Sequence, residues 1–254
     1  MILPSNNKFN VEYNYCMTDI QYSIADEIFN HFPEFMRGVV LAKGVVNRAS
    51  PPELVKLLRD AEDSLKKQQN TETLIADPRI ASWREAFRSL GIKPSEYRPS
   101  IEAMARRVIN GNELPSINAL VDIGNIISLR RLLPVGGHSL NAVKQNIALC
   151  AATGEEAFIP FGSDQAEHPD KGEFIFTEGS VVLTRRWVWR QSNHTLTELS
   201  TTYIEFNLDG LPPIGMKEIL EVCEEISDLI RQFCGGEFSF QVLNKTNPAM
   251  RIIL

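Results

Sequence analysis

Residues 117–141 read INALVDIGNIISLRRLLPVGGHSLN. The run Ile117–Val121 is short and apolar and predicts a buried strand. Asp122 stands where an N-cap is needed for a helix over Ile123–Leu133, and a cap of this kind contributes about 1 kcal/mol. Asn125 falls in the first turn of that helix, where an amide both donates and accepts hydrogen bonds. The helix leads into Pro134-Val135-Gly136-Gly137, where a diglycine permits positive φ and close approach of backbone to a ligand. His138 is the next residue, presented by that turn.

On the N-terminal side, Met36–Val46 (MRGVVLAKGVV) reads as a buried strand. Ser50-Pro51-Pro52-Glu53 opens a helix, with Ser50 as N-cap, Pro51 first and Glu53 in the capping-box position. Leu54, Leu57, Leu58, Ala61 and Leu65 keep helical spacing, and the polar segment Lys66–Thr73 predicts a loop. Asp77-Pro78 caps a second helix with Ile80, Trp83, Phe87 and Leu90 on one face and Gly91 at its end. Ser100 caps a third, with Ile101, Met104, Ala105 and Val108 inward.

On the C-terminal side the character changes to short runs between turns. Ile147–Ala151, Ala157–Phe161, Glu173–Phe176, Val181–Thr184, Trp187–Trp189 and Thr201–Phe206 predict strands. A last helix, Met216–Phe233, ends at Gly235-Gly236, and Phe238–Val242 predicts an edge strand. The fold class is α+β, a mostly antiparallel central sheet with flanking helices.

The chain has 254 residues, 43% hydrophobic, enough for a sizeable core. No apolar run is long enough to span a bilayer. The N-terminus MILPSNNKFN lacks the pattern of a secretory signal. Cys16, Cys150, Cys223 and Cys234 are scattered, with no CxxC, which fits reduced core thiols and a cytoplasmic setting. The net charge of −6 argues against broad nucleic-acid coating. From Arg79 to Arg131, nine Lys or Arg stand against five Asp or Glu, a net of +4 that leaves −10 for the remainder. A basic centre of this kind suits either phosphate contact or ordinary solvated helix faces.

The histidines are far apart and none sits in a metal-binding spacing, so neither a metal nor another cofactor is expected. There is no GxSxG, no GxxxxGK[ST] and no strand–GxGxxG–helix frame. Asn125 suits a structural role near the cap or a ligand contact. His138 suits a surface loop or a hydrogen bond to an ester or a water. The stretch from Arg185 to Ser192, RRWVWRQS, alternates in period two, with Trp187 and Trp189 on one face and Arg186, Val188 and Arg190 on the other. That supplies either a stacking face and an anion-binding face, both useful for RNA ends, or a core tryptophan pair with arginines bound to acids. Glu205 shares a strand face with Tyr203. There it has a job, a buried partner or a solvated position.

Several of these residues occur together in one known family. Trp83-Arg84, Tyr97-Arg98-Pro99-Ser100, Arg106-Arg107, Leu114-Pro115, Ile117-Asn118, Val121-Asp122-Ile123-Gly124-Asn125, His138, Arg186-Trp187 with Trp189-Arg190-Gln191-Ser192, and Ile204-Glu205-Phe206 carry the match. Over about 82–213 the chain resembles the B3/B4 editing domain of the bacterial phenylalanyl-tRNA synthetase β subunit, and most of all the free-standing B3/B4 proteins. The resemblance implies a single domain over 1–254, with a strand and helix extension over 1–75 and a helix and edge strand over 214–254.

It also implies a pocket that hydrolyses mischarged aminoacyl-tRNA with a positioned water. Asn125 and His138 would position the ester or the water, and Glu205 would read a polar group on the aminoacyl side chain. Arg190, Gln191, Gly136 and Gly137 would bind substrate, and Arg98, Arg106 and Arg107 would bind RNA. The implied partner is the aminoacylated 3′ end of tRNA, with no membrane and no DNA. These residues are expected to converge on one pocket. In the synthetase the amino acid removed is mischarged tyrosine, and two departures bear on that specificity here: His138 is followed by Ser139-Leu140-Asn141 instead of Ala-Phe-Asp, and Arg190-Gln191-Ser192-Asn193 replaces a Gly-Gly wall. With no class II synthetase motif in the sequence, aminoacylation is not expected. Trans-editing is the first expectation. The alternatives are a non-catalytic module that binds tRNA or an amino acid, and a small-molecule enzyme on the same fold.

Overall fold

Asn118, not Asp122, starts the central helix. In the computed structural model, which describes residues 19–254, the Asn118 side chain accepts from the Val121 N–H at 3.1 Å and the helix runs Ala119–Arg131. The strand expected at Ile117–Val121 is therefore the helix start. The helix is buried on nearly every side, Ala119, Leu120, Ile123, Ile126 and Ile127 all being fully enclosed. An all-round apolar helix and a doubly buried strand have the same local pattern.

Asp122 lies inside the first turn, fully buried. It accepts from Ser50 Oγ at 2.6 Å, from Ser116 Oγ and from the Ile117 N–H at 3.1 Å. It thus pins the two segments that approach the helix. Asp122→Ala is expected to cost about 2–3 kcal/mol, since it strips three donors of a charged acceptor. An unchanged denaturant midpoint would contradict this role.

The elements in chain order are β1 (Asp19–Ile24), α1 (Asp26–His31), β2 (Met36–Lys43), α2 (Pro52–Gln68), α3 (Thr71–Ala76), α4 (Pro78–Ser89), α5 (Ser100–Ile109), α6 (Ala119–Arg131), β3 (Val135–Ser139), β4 (Ile147–Ala151), β5 (Phe174–Glu178), β6 (Val181–Arg185), β7 (Arg190–Gln191), β8 (Tyr203–Gly210), α7 (Met216–Phe233), β9 (Glu237–Leu243) and β10 (Ala249–Ile253). The α+β class is as expected, but the strands form two sheets. One has the order β10-β1-β4-β5-β6-β7, antiparallel except for the parallel pair β1–β4. The other, β3-β8-β2-β9, is wholly antiparallel, with β9 at its edge.

The result is three layers. One face of the smaller sheet, with Val40, Ala42, Ile204, Phe206 and Leu208, packs on α2, α6 and α7. Its other face, with Val39 and Leu41, packs on the larger sheet through Tyr22, Leu149 and Phe176. Burial on both faces is why β2 reads as a continuous apolar run.

Other local expectations need correction. Pro51 and Pro99 occupy the N-cap positions assigned to Ser50 and Ser100. The polar 66–73 segment contains the start of α3, held by an Asn70–Thr73 capping box. Ala157–Phe161 makes only isolated bridges. The stretch 186–189 is a turn with Arg186 and Trp187 at φ 45° and 64°. Trp187 is buried against Trp83 and Phe35, whereas Trp189 packs on Tyr97, so the two indoles share no face. Cys150, Cys223 and Cys234 are free thiols. Cys16 and the stretch 1–10 lie outside the described residues. No described helix is long and apolar enough to cross a membrane.

Candidate functional site

A cleft of about 780 Å³ opens between α6, β3, β7 and the connection 196–199. Helix α6 contributes Leu120, Val121, Gly124 and Asn125, and β7 contributes Arg190 and Gln191. Its floor is Phe206. A Cβ on Gly124 would stand 3.3 Å from that ring, and one on Gly137 would stand 3.1 Å from it. A Cβ on Gly136 would meet Asn207 Oδ1 at 2.6 Å. Gly136 and Gly137 are thus not turn glycines with positive φ. They are strand residues whose missing side chains leave room for Phe206 and Asn207.

Asn125, Gly136, Gly137, Arg190 and Gln191 all line this cleft. His138 and Glu205 do not. His138 is no loop residue. It sits on β3 directly opposite Glu205 on β8, and both are buried on the face turned to the larger sheet. There Tyr22 Oη donates to Glu205 Oε1 at 2.8 Å and Asn207 Nδ2 approaches Oε2 at 3.3 Å. Arg37 grips Asp209 with Nε at 2.6 Å and Nη2 at 2.7 Å, and its Nη1 donates to Tyr22 Oη at 3.2 Å. The substrate-reading role implied for Glu205 needs a reach that its place between the sheets does not give.

The environment sets the protonation of these two groups. Burial, helped by the Arg37 charge, pulls the His138 pKa down to about 3, so the ring is neutral at neutral pH. His138 Nδ1 lies 2.7 Å from Thr195 Oγ1 and 3.4 Å from Gln191 Nε2. His138 Nε2 lies 3.4 Å from Thr184 Oγ1, and because the Thr195 and Thr184 hydroxyls can each donate or accept, they satisfy either neutral tautomer.

Burial pushes the Glu205 pKa up to about 7, against the opposing pull of Arg37. A carboxyl raised on folding stabilises the fold fully below its unfolded value and loses that contribution as pH rises through the folded one. Relative to Glu205→Gln, the wild type should therefore lose stability as pH rises from about 4.5 to about 7. Parallel stability–pH curves for the two proteins would contradict the sealed carboxyl.

Gln191 connects the two regions. Its Nε2 donates to the Gly137 carbonyl at 3.0 Å and approaches the Thr195 carbonyl at 3.3 Å. Behind it lies a smaller space of about 90 Å³ lined by His138, Thr184, Trp187, Gln191 and Asn207.

None of the three arginines expected to bind RNA lines the cleft. Arg106 is tied to the buried Glu102 at 2.8 Å, which also holds Arg84 at 2.6 Å. Arg107 donates to the Glu113 carbonyl at 3.0 Å. Arg98 is exposed. The basic centre is further neutralised from outside it, by Glu218 on Arg79 and by Glu225 on Arg130 and Arg131.

Sequence reasoning passed over Phe206 as the floor and Thr195 and Thr197 as braces. The alternation Thr195-Leu196-Thr197 was the available signal: Thr195 is buried beside His138, while Leu196 enters the cleft. Among the described residues, no group of three or more His, Cys, Asp or Glu is placed to hold a metal.

The sequence profile of the B3/4 domain matches residues 82–235. No curated protein matches the chain. Among solved structures, an N-terminal fragment of the phenylalanyl-tRNA synthetase beta-subunit from Pyrococcus horikoshii is similar at 9% identity with a TM-score of 0.44. The match covers 92% of this chain and 54% of that one, so the chain spans about half the length of the fragment.

Proposed function

This chain belongs to the B3/4 domain family, and on that premise we propose that its cleft receives the aminoacylated 3′ end of a tRNA and hydrolyses the ester with a positioned water. The observation that carries this reading is the gathering of Asn125, Gly136, Gly137, Arg190 and Gln191 on one apolar-floored cleft. Its size suits an amino acid with part of a nucleotide.

Backbone register supports a place for the ester carbonyl. The Asp209 N–H donates to the Pro134 carbonyl at 3.1 Å. In an antiparallel ladder that makes 136/207 and 138/205 the bonded pairs and leaves 137/206 unbonded. The N–H and C=O of Gly137 then point away from β8, along the edge where the cleft lies. The carbonyl accepts from Gln191; the N–H is available to a developing oxyanion, together with the Asn125 amide.

In this reading a water held by the Gln191 amide attacks the ester carbon. The bond from that carbon to the ribose oxygen breaks, and the water proton passes to that oxygen through the neighbouring ribose hydroxyl. The products are the free amino acid and an uncharged tRNA end. His138, neutral and sealed, positions Gln191 and takes no proton.

The test is a panel of tRNAs, each charged with a non-matching amino acid. The expected result is accelerated deacylation of at least one. If none is deacylated faster than in buffer, hydrolysis is lost as a function. A second reading, a non-catalytic binding module, is favoured by one specific observation: His138 and Glu205 lie outside the cleft. It expects tight binding of charged tRNA with an unchanged ester lifetime.

A further inference from the structure

We propose that Trp189 and the arginines beside it form a stacking seat for the unpaired 3′-terminal nucleotides of an RNA at the mouth of the cleft. This rests on the cleft being the aminoacyl site and adds the element that recognises the nucleic acid.

The turn 186–189 is built to hold this indole in place. Arg186 and Trp187 both take left-handed backbone conformations, each costing about 1–2 kcal/mol for a residue with a side chain. Burial of Trp187 among Trp83, Phe32, Phe35 and Phe174 offsets that cost. The turn then carries Trp189 out to the cleft wall.

Trp189 is braced from behind. The Arg186 guanidinium stands 3.8 Å from the Tyr97 ring centre and 4.8 Å from that of Trp189, and Tyr97 meets the indole edge-on at 5.0 Å. Arg186 is itself balanced by Asp170 at 3.8 Å and Glu173 at 3.9 Å, so it serves as the brace and not as a phosphate ligand. A rigid, pre-packed aromatic beside a cleft suits stacking of a flat ring.

Among the described residues, no acidic side chain pairs with the neighbouring cations Arg190 and Arg98. Arg190 is exposed, and its guanidinium meets a carbonyl, that of Phe161, at 3.4 Å. Arg98 is exposed too, and the Ser100 N–H ties its segment to the Val188 carbonyl at 2.8 Å. Phe161, 64% exposed on the same rim, offers a second ring for a second base. Two rings with the exposed Arg190 beside both fit successive nucleotides of a strand end better than a mononucleotide.

The protein carries its own reporter. Of its three tryptophans, Trp83 and Trp187 are buried at 2% and 1% exposure, and Trp189 is the accessible one. Uncharged, short single-stranded RNA ending in CCA should quench tryptophan fluorescence on binding. With labelled RNA, Trp189→Ala should bind about tenfold more weakly or worse. Trp189→Phe should keep most of the affinity and lose the quench. Arg190→Glu should weaken binding and flatten its salt dependence. Adenosine monophosphate should bind far more weakly than the RNA; equal binding would overturn the strand-end assignment. Absent quenching, or wild-type affinity in Trp189→Ala, would overturn the seat itself. Uncharged RNA needs no hydrolysis, so the seat and the deacylase reading fail separately.

Discussion

Asp209→Ala is expected to destabilise the fold by about 3–5 kcal/mol, the cost of leaving a buried charge without its partner. Arg37 and Asp209 are enclosed at 1% and 0% side-chain exposure and share two short hydrogen bonds. Burial opposes the Arg37 charge, but Asp209, Tyr22 and Glu205 more than offset this and raise its pKa. Without Asp209, the guanidinium keeps only the Tyr22 hydroxyl among these bonds. Urea unfolding measures the loss. Arg37→Met combined with Asp209→Leu should recover much of it, because the isolated charge goes with its partner. If the single variant is as stable as the wild type, the buried Arg37–Asp209 pair across β2 and β8 does not stabilise the fold.

Gln191→Leu is expected to lower deacylation by about 100-fold, the scale of misplacing a reacting group that must be held in line. Leucine keeps the bulk but removes the bonds to the Gly137 and Thr195 carbonyls and the approach to His138. Binding of uncharged RNA should change little, because the seat at Trp189 does not use that amide. Single-turnover decay of charged tRNA, paired with RNA affinity, separates the two. Full activity in the leucine variant would remove Gln191 from the mechanism.

What was legible in the sequence follows from how each segment is buried. Helix α7 and strand β4 lie where spacing put them, at Met216–Phe233 and Ile147–Ala151. Both face one definite environment per side, so their periods are clean. The β8 sequence alternates, with Tyr203, Glu205, Asn207 and Asp209 on one face and Ile204, Phe206 and Leu208 on the other. That pattern ordinarily marks a solvated polar face. Here the polar face is covered by the larger sheet, and Arg37 from β2 and Tyr22 from β1 satisfy it. No local pattern encodes that pairing.

Of the residues expected to converge on one pocket, Asn125, Gly136, Gly137, Arg190 and Gln191 line the cleft, and His138 and Glu205 do not. Asn125 and Gln191 border the cleft because α6 and β7 do. His138 and Glu205 are opposed across two strands, and the side of the sheet they occupy depends on a layer that local sequence does not reveal. The alternation in RRWVWRQS was a coincidence of composition. Two left-handed residues break the strand there and send the two tryptophans in different directions.

If the aminoacyl ester is cleaved in the cleft, filling the cleft abolishes the reaction. Val121 lines the cleft and is only half-buried, so Val121→Trp adds bulk there with little disturbance of the core. Deacylation of a tRNA that the wild type discharges should fall to the buffer rate, with an unchanged melting temperature. A folded Val121→Trp protein that discharges the same tRNA at the wild-type rate would mean that the ester is not cleaved in the cleft.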